Sequence, residues 1–216
     1  MAFIFPALLI VVFLFCLAFS YREGMWGNAV TLINVIVAAL LATSFWEPVA
    51  RLLEGWMPSF TFFLDMISIW LLFCVFLVIF RTATRGVSKY KVRFKQLHEQ
   101  IGSVVFAMLL GFVMVCFTTM TLHTAPLGRN FLFGGFKCDP PSEKNLFGVA
   151  PDILWLSFVK MTSKGSLKRW NTREFDPGNE FIVTYADRRS TLEASAEKHG
   201  SFRVPADQIG GDIPQR

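Results

Sequence analysis

Residues 60–80 read FTFFLDMISIWLLFCVFLVIF, an apolar run that carries one charged side chain, Asp65. A helix of this length reaches roughly 31 Å, which matches the hydrocarbon thickness of a bilayer, about 30 Å. The same character returns in three further runs, residues 2–19, 25–46 and 101–122. The sequence therefore predicts an all-α membrane protein, with four transmembrane helices in residues 1–122 and an extracytoplasmic C-terminal tail of mixed or irregular structure.

The composition is not that of an ordinary soluble domain. Hydrophobic residues make up 53% of the 216 positions, charged residues only 17%, and phenylalanine alone occupies 24, which is more apolar than a soluble chain usually is. The chain contains no serine, histidine and carboxylate constellation, no glycine-rich phosphate loop and no metal-ligand spacing of cysteine or histidine. We therefore expect no enzyme activity, no cofactor and no metal.

The first run has a second interpretation. Ala18-Phe19-Ser20 resembles the cleavage site of a secretory signal peptide. However, no basic residue precedes the run and Arg22 follows it, which reverses the charge order of a signal sequence. We therefore expect the first run to be retained as a transmembrane helix.

Basic residues are concentrated between the third and fourth runs. Residues 81–100 contain six of them against one acidic residue, Glu99. The positive-inside rule places such a loop in the cytoplasm, so that both termini are extracytoplasmic. A short basic loop between apolar runs indicates contact with anionic lipid headgroups rather than with nucleic acid. The predicted headgroup contacts are Arg81, Arg85, Lys89, Lys91, Arg93 and Lys95.

Two short segments between the runs are predicted to lie on the membrane surface. Residues 48–56 have apolar side chains at helical spacing. Residues 89–95 alternate like a strand, but Tyr90 and Phe94 also fit a helical stripe. We favour a surface helix for this second segment, because an isolated strand leaves its backbone groups unpaired.

Small and mildly polar residues form one face in span two and another in span four. Helices in lipid associate through close backbone approach and interhelical hydrogen bonds, so we expect these faces to pack against each other or against a second copy. The predicted packing residues are Gly24, Asn28, Thr31, Ala38, Ala42, Gly102, Ser103, Ala107 and Gly111.

Three polar residues inside the spans offer an alternative, a polar pathway: Asn28, Asn34 and Asp65. An ionised carboxylate inside a bilayer costs a few kcal/mol unless it meets water or a partner. Asp65 lies near one end of its span, which favours an interface residue that snorkels to the headgroups over a functional group.

The tail is predicted to have two parts. Residues 123–185 form an extracytoplasmic segment with a short interfacial helix that begins at Pro151-Asp152. Asp176-Pro177-Gly178 predicts a turn, and residues 181–185 predict a strand. Residues 186–216 are polar and are predicted to be disordered.

Three features carry a family resemblance: Tyr21-Arg22-Glu23-Gly24 before span two, a basic loop after span three, and residues 97–102 leading into a glycine-bearing fourth span. In this order they resemble the colicin V production protein (CvpA) family, over about residues 5–125. The resemblance implies a bacterial inner-membrane protein with a role in colicin V production or export and in envelope homeostasis. We expect a scaffold or assembly factor rather than a small channel or transporter, with the bilayer, itself or other envelope proteins as partners.

The sequence departs from the family pattern at its charges. Glu23 stands between Arg22 and Gly24, whereas the family has its basic residue directly before the glycine. His98-Glu99-Gln100 occupies the place of an Asp-Arg pair. The spacing of small residues in span four survives these departures, displaced by one residue.

Overall fold

The computed structural model describes residues 4–20, 23–57, 60–87, 96–127, 149–164, 175–176 and 180–199. These residues form six α-helices and no β-strand, which confirms the all-α prediction for this part of the chain. The helices in chain order are α1 (Ile4–Ser20), α2 (Gly24–Trp56), α3 (Thr61–Val87), α4 (Gln96–Thr124), α5 (Pro151–Lys164) and α6 (Phe181–His199).

Three stretches are long and apolar enough to cross a bilayer: Gly24–Trp56, Phe63–Gly86 and His98–Thr124. They correspond to the second, third and fourth predicted spans. The counterpart of the first span, α1, is a shorter apolar helix of 17 residues, about 26 Å long. The chain therefore has the helices of a multi-pass membrane protein.

Large apolar side chains remain exposed on the outside of α1 to α4. They include Phe15, Ile33, Val78 and Ile101. On a soluble protein so much exposed apolar surface would mark a binding site. On helices of this length and composition, such a surface is suited to contact with acyl chains.

The central helix of the fold is α4, because α1, α2, α3, α5 and α6 all pack against it. In addition, α2 packs along α3. The helices α1 to α4 run in alternating directions, as their mutual contacts show, so α2 ends, α3 begins and α4 ends at one end of the bundle. We call this the Asp65 end, and the opposite end, where α2 begins, the Glu23 end.

Aromatic rings join the spans to the tail. The ring centroids of Phe73 and Phe117 are 4.8 Å apart, and Trp70 meets Phe117 edge-on at 5.6 Å. Trp155 of α5 meets the ring of Phe117 edge-on at 5.6 Å as well. Such pairs add about 0.5–1.5 kcal/mol beyond the burial of their area. A helix of the tail, α5, is thus part of the same core as the spans.

The small residues of span four face two different helices. Gly102 lies against Met25 of α2, where an added Cβ would stand 2.2 Å from the methionine sulfur. Gly111 lies against Phe13 of α1, where an added Cβ would stand 2.7 Å from the ring. Gly102 is thus beside span two, as expected, whereas Gly111 is beside α1, because α4 has α1 as a further neighbour.

Two local expectations differ from the structure. The strand predicted over residues 181–185 is wrong, because these residues form the first turns of α6. This helix continues through residues 186–199, a stretch that the sequence assigns to the disordered tail. Its buried side chains Tyr185, Arg188 and Leu192 recur every three to four residues, a helical spacing that local β-propensity does not override.

The segments expected on the membrane surface have different outcomes. Residues 48–56 are not a separate surface helix but the continuation of α2, which includes Pro48 and ends at Trp56. Residues 89–95 lie outside the described residues, and so do residues 200–216.

Candidate functional site

Asp65 lies near the beginning of α3 and is fully buried. Its Oδ2 accepts a hydrogen bond from Arg188 Nη1 at 2.5 Å and another from the Tyr185 hydroxyl at 3.1 Å. Both donors belong to α6. Hydrogen bonds between ionised groups are about twice as strong as neutral ones. The partner of the charged residue in the third span therefore comes from the tail.

The interpretation of Asp65 as a residue that snorkels to the headgroups is wrong, because the carboxylate is buried under α6. Its partner is 123 positions further along the chain. The one local signal of this contact is the spacing of Tyr185 and Arg188, which places both on one face of a helix. Sequence reasoning missed it because residues 181–185 were assigned to a strand.

A second polar contact joins α4 to the tail at the Asp65 end. His123 Nε2 lies 2.9 Å from Asp152 Oδ2 on α5, and both side chains are fully buried. Arg189 of α6 donates from Nη1 to the His123 carbonyl oxygen at 2.9 Å. This carbonyl belongs to the last turn of α4, where backbone acceptors have no partner within the helix. One residue of α4 thus contacts both tail helices.

The charge of Asp152 is stabilised where it lies. Burial alone raises the pKa of this carboxyl group, but the hydrogen bond and charge of His123 and the backbone N–H of Ile153 outweigh burial. The pKa of Asp152 therefore lies below its ordinary value of 3.8. The carboxylate form of Asp152 therefore prevails at neutral pH.

The tail also contacts α2. Trp155 Nε1 donates to Thr43 Oγ1 at 3.3 Å, and Thr43 Oγ1 donates in turn to the Ala39 carbonyl oxygen at 2.7 Å. The ring of Trp46 lies 6.3 Å from that of Tyr185. The Asp65 end is therefore built from α2, α3 and α4 together with both helices of the tail.

A local cap begins α6. Asp176 accepts hydrogen bonds at Oδ1 from the backbone N–H groups of Glu180, at 2.6 Å, and Phe181, at 3.2 Å. Asp176 itself has φ +46°, the left-handed conformation that Asp tolerates better than most residues. Asp176 thus caps the helix that carries Tyr185 and Arg188, while Pro177 and Gly178 of the predicted turn lie outside the described residues.

At the Glu23 end, the charge contacts are different from those expected. Arg81 Nη2 forms an ion pair with Glu23 Oε1, and Thr31 donates to Glu23 Oε2 at 2.9 Å. Arg81, predicted to meet headgroups, is therefore engaged with the acidic residue that departs from the family pattern. Arg85 is exposed. The remaining predicted headgroup contacts, Lys89, Lys91, Arg93 and Lys95, lie outside the described residues.

The polar residues of span two hold neighbouring helices. Asn28 Nδ2 donates to Ser103 Oγ at 2.9 Å and to the Ser103 carbonyl oxygen at 3.1 Å, which joins α2 to α4. Asn34 Nδ2 donates to Thr84 Oγ1 at 3.0 Å, which joins α2 to α3. These asparagines lie towards the Glu23 end, so the structure does not bring them together with Asp65.

No group of three or more His, Cys, Asp or Glu side chains that could hold a metal ion occurs within the described ranges. Ala38 and Ala42, predicted to pack, are buried between the two ends of the bundle, while Gly24 begins α2.

The comparisons with known proteins give one match. A family model described as colicin V production protein matches residues 5–133. Neither the curated proteins nor the solved structures give a match.

Proposed function

The chain belongs to the colicin V production protein family, and from this premise we propose that it is a membrane scaffold or assembly factor. It would serve toxin production or export and, more broadly, envelope homeostasis. The proposal assigns no reaction and no cofactor to the chain. Its partners are the bilayer, a second copy or other envelope proteins.

The distribution of polar side chains supports a scaffold best. Hydrogen bonds and ion pairs gather at the Glu23 end and at the Asp65 end, where they join one helix to another. Between the two ends, the described residues in the core include Ala38, Phe73 and Leu110. A pore needs polar groups along its length, whereas a scaffold needs a packed bundle with a defined outer surface.

In the proposed topology α1 crosses the bilayer as well, which makes four spans in all. The basic residues 81–100 are in the bacterial cytoplasm. Both termini, α5 and α6 are then on the extracytoplasmic side of the inner membrane. This arrangement agrees with the alternating directions of α1 to α4. It also presents the exposed surfaces of the tail to envelope proteins.

Reconstitution tests the scaffold against a small channel. Purified protein in liposomes should give an ion flux no greater than that of protein-free liposomes. A clear flux that falls in the Asn28→Ala/Asn34→Ala variant, which keeps Asp65 intact, would establish the channel instead. Thr82→Ala, on the exposed side of α3, is the matched control for loss of a polar side chain.

Cross-linking in cells tests whether the protein contacts envelope proteins. A photo-reactive amino acid at Val183, which is exposed on α6, should capture a defined envelope protein in cells that export toxin. The same amino acid at Phe15, exposed on apolar α1, should capture lipid.

A strain that lacks the protein should lose toxin release and regain it from a plasmid copy; unchanged release without the protein would contradict the proposal.

A further inference from the structure

The hydrogen bonds described between α6 and the bundle all run from a donor on α6 to an acceptor on the bundle. On the bundle, the groups in this contact are acceptors: the Asp65 carboxylate and the His123 carbonyl oxygen. On α6, they are donors: the Tyr185 hydroxyl and the guanidinium groups of Arg188 and Arg189. The surface beneath α6 is therefore an acidic receptor, complementary to a helix that carries arginine.

Few apolar side chains hold α6 in place. Four of its described side chains are buried, and two of these are arginines; the others are Tyr185 and Leu192. Both tail helices reach the main core: α5 adds Trp155 and Val159, whereas α6 adds Tyr185, with Phe181 half-buried beside it. A buried charge is costly without its partner, whereas a buried ion pair adds little net stability over apolar packing. The docked position of α6 thus depends on its acceptors more than on hydrophobic burial.

The packing between α6 and the bundle leaves a gap on one side. A small cleft of about 10 Å³, room for about one water molecule, opens between the end of α4 and α6. Its walls include Thr124 and Pro126 on one side and Arg188 and Arg189 on the other. Elements with few buried apolar contacts and nearby solvent are the ones that open locally at low free energy.

We propose that α6 is an exchangeable latch, and that its release uncovers a docking site for an arginine-bearing helix of an envelope partner. The docking site consists of the Asp65 carboxylate, the His123 carbonyl oxygen and the hydroxyl of Ser68, a fully buried residue of α3 one turn after Asp65. The partner helix carries two successive arginines, with an aromatic residue one turn earlier, as α6 does at Tyr185. The envelope partner rests on the scaffold role proposed above, whereas the attachment of α6 to Asp65 and His123 does not.

Charge exchange tests the latch. Arg188 and Arg189 are buried in α6, so trypsin should cut after Arg189 slowly in the full-length protein in nanodiscs. Asp65→Arg and Arg188→Asp should each raise the rate of this cut by at least about tenfold, because each leaves a buried charge without its partner. The double variant Asp65→Arg/Arg188→Asp should return the rate to within about twofold of the unmodified protein.

Two features of this design separate release from misfolding. The single Arg188→Asp variant and the double variant have the same residues around the bond that is cut, so trypsin itself treats them alike. Asp187→Asn, an exposed acidic residue on α6, is the matched control and should leave the rate unchanged. Fast cutting in the double variant, or slow cutting in both single variants, would overturn the latch.

A peptide tests the docking site. A fluorescent peptide of residues 180–199 should bind the full-length Arg188→Gln/Arg189→Gln variant at least about tenfold more tightly than the unmodified protein, whose own α6 occupies the site. Adding Asp65→Asn should remove this gain. A peptide with both arginines replaced by aspartate should not bind. Equal binding with and without Asp65, or no binding to a variant whose α6 is released, would refute the docking site.

Discussion

Gly24 begins α2 with φ +72°, in the left-handed region. An added Cβ would also stand 3.2 Å from Glu99 Oε1 of α4. Only glycine adopts this conformation without steric cost. The residue predicted from its small size to pack against span four therefore also determines how the chain enters α2.

Gly24→Ala should lower the free energy of unfolding by about 1–2 kcal/mol, from the cost of a left-handed alanine and the approach of Glu99. Thermal unfolding of the purified protein in detergent measures this loss. Gly86→Ala is the matched control. Apart from its chain neighbours and the backbone of its own helix, nothing lies within 4 Å of a Cβ added at Gly86, and its φ is not positive. A loss at Gly86 as large as that at Gly24 would contradict the conformational argument.

Asp152 gives the fold a defined pH dependence. Its pKa is lower in the folded protein than the ordinary value of 3.8, so the carboxylate contributes stability that is fully present above that value. The contribution is lost as the pH falls through the lowered pKa, because the folded state must then take up a proton against its preference. Acid should therefore loosen the contact between α4 and α5.

The thermal midpoint of the protein should fall as the pH is lowered through 3.8 and below, and Asp152→Asn should reduce this fall because that variant has no carboxylate at 152 to protonate. Scanning the midpoint against pH measures the difference. Asp187→Asn removes an exposed carboxylate and serves as the control. Identical pH profiles for Asp152→Asn and the unmodified protein would refute the role of the His123–Asp152 contact.

At the scale of elements, the spacing of small residues in span four allows α4 to accept two neighbours. Gly102 admits Met25 of α2, and Gly111 admits Phe13 of α1. The two contacts differ in how far the neighbouring side chain can move. The methionine side chain is flexible and yields to an added methyl group, whereas a packed phenylalanine ring does not yield without moving its helix.

Gly111→Ala should therefore destabilise the protein by about 1–3 kcal/mol through the contact between α1 and α4. Gly102→Ala should cost less. Combining Gly111→Ala with Phe13→Ala should cost less stability than the sum of the two single changes, since the ring that meets the added methyl group is then absent. Thermal unfolding of the four proteins measures this coupling, and strictly additive losses would mean that the two residues do not meet.

The helix α2 is longer than the apolar run that it contains. The apolar run of residues 25–46 matches a bilayer, yet the helix continues to Trp56 and reaches about 50 Å. Trp46, at the end of the run, packs against Tyr185 of α6. The end of a hydrophobic run therefore marks a change of surroundings and not the end of the helix.

At the scale of the whole molecule, α5 and α6 return to the ends of the spans and pack against α4. With the proposed topology, this packing lies on the extracytoplasmic side. Alkaline phosphatase fused after Arg216 should then be active and a fluorescent protein fused there should be dark. The same reporters fused after residue 90, in the basic segment, should give the reverse. A bright fluorescent fusion after Arg216 with inactive phosphatase would invert the orientation.

The sequence by itself determined the apolar helices and the family, because both rest on local properties of the chain. Apolar runs of 18 to 22 residues must become helices in lipid, where every backbone group needs an internal partner. The order of these runs, with Tyr21-Arg22-Glu23-Gly24 before the second, was enough to suggest the family, and the match over residues 5–133 agrees.

Only the tertiary structure decided what the polar residues do. Asp65 was recognisable as unusual from its place in an apolar run, and the spacing of Tyr185 and Arg188 indicates a helical face, but neither feature shows that they meet. The same holds for Arg81 with Glu23 and for His123 with Asp152. Charge complementarity acts between whichever surfaces packing brings together, and no local pattern in the chain records that meeting. The helix predicted from Pro151 is thus α5, and part of the tail predicted to be disordered, residues 186–199, is folded as α6 against the bundle.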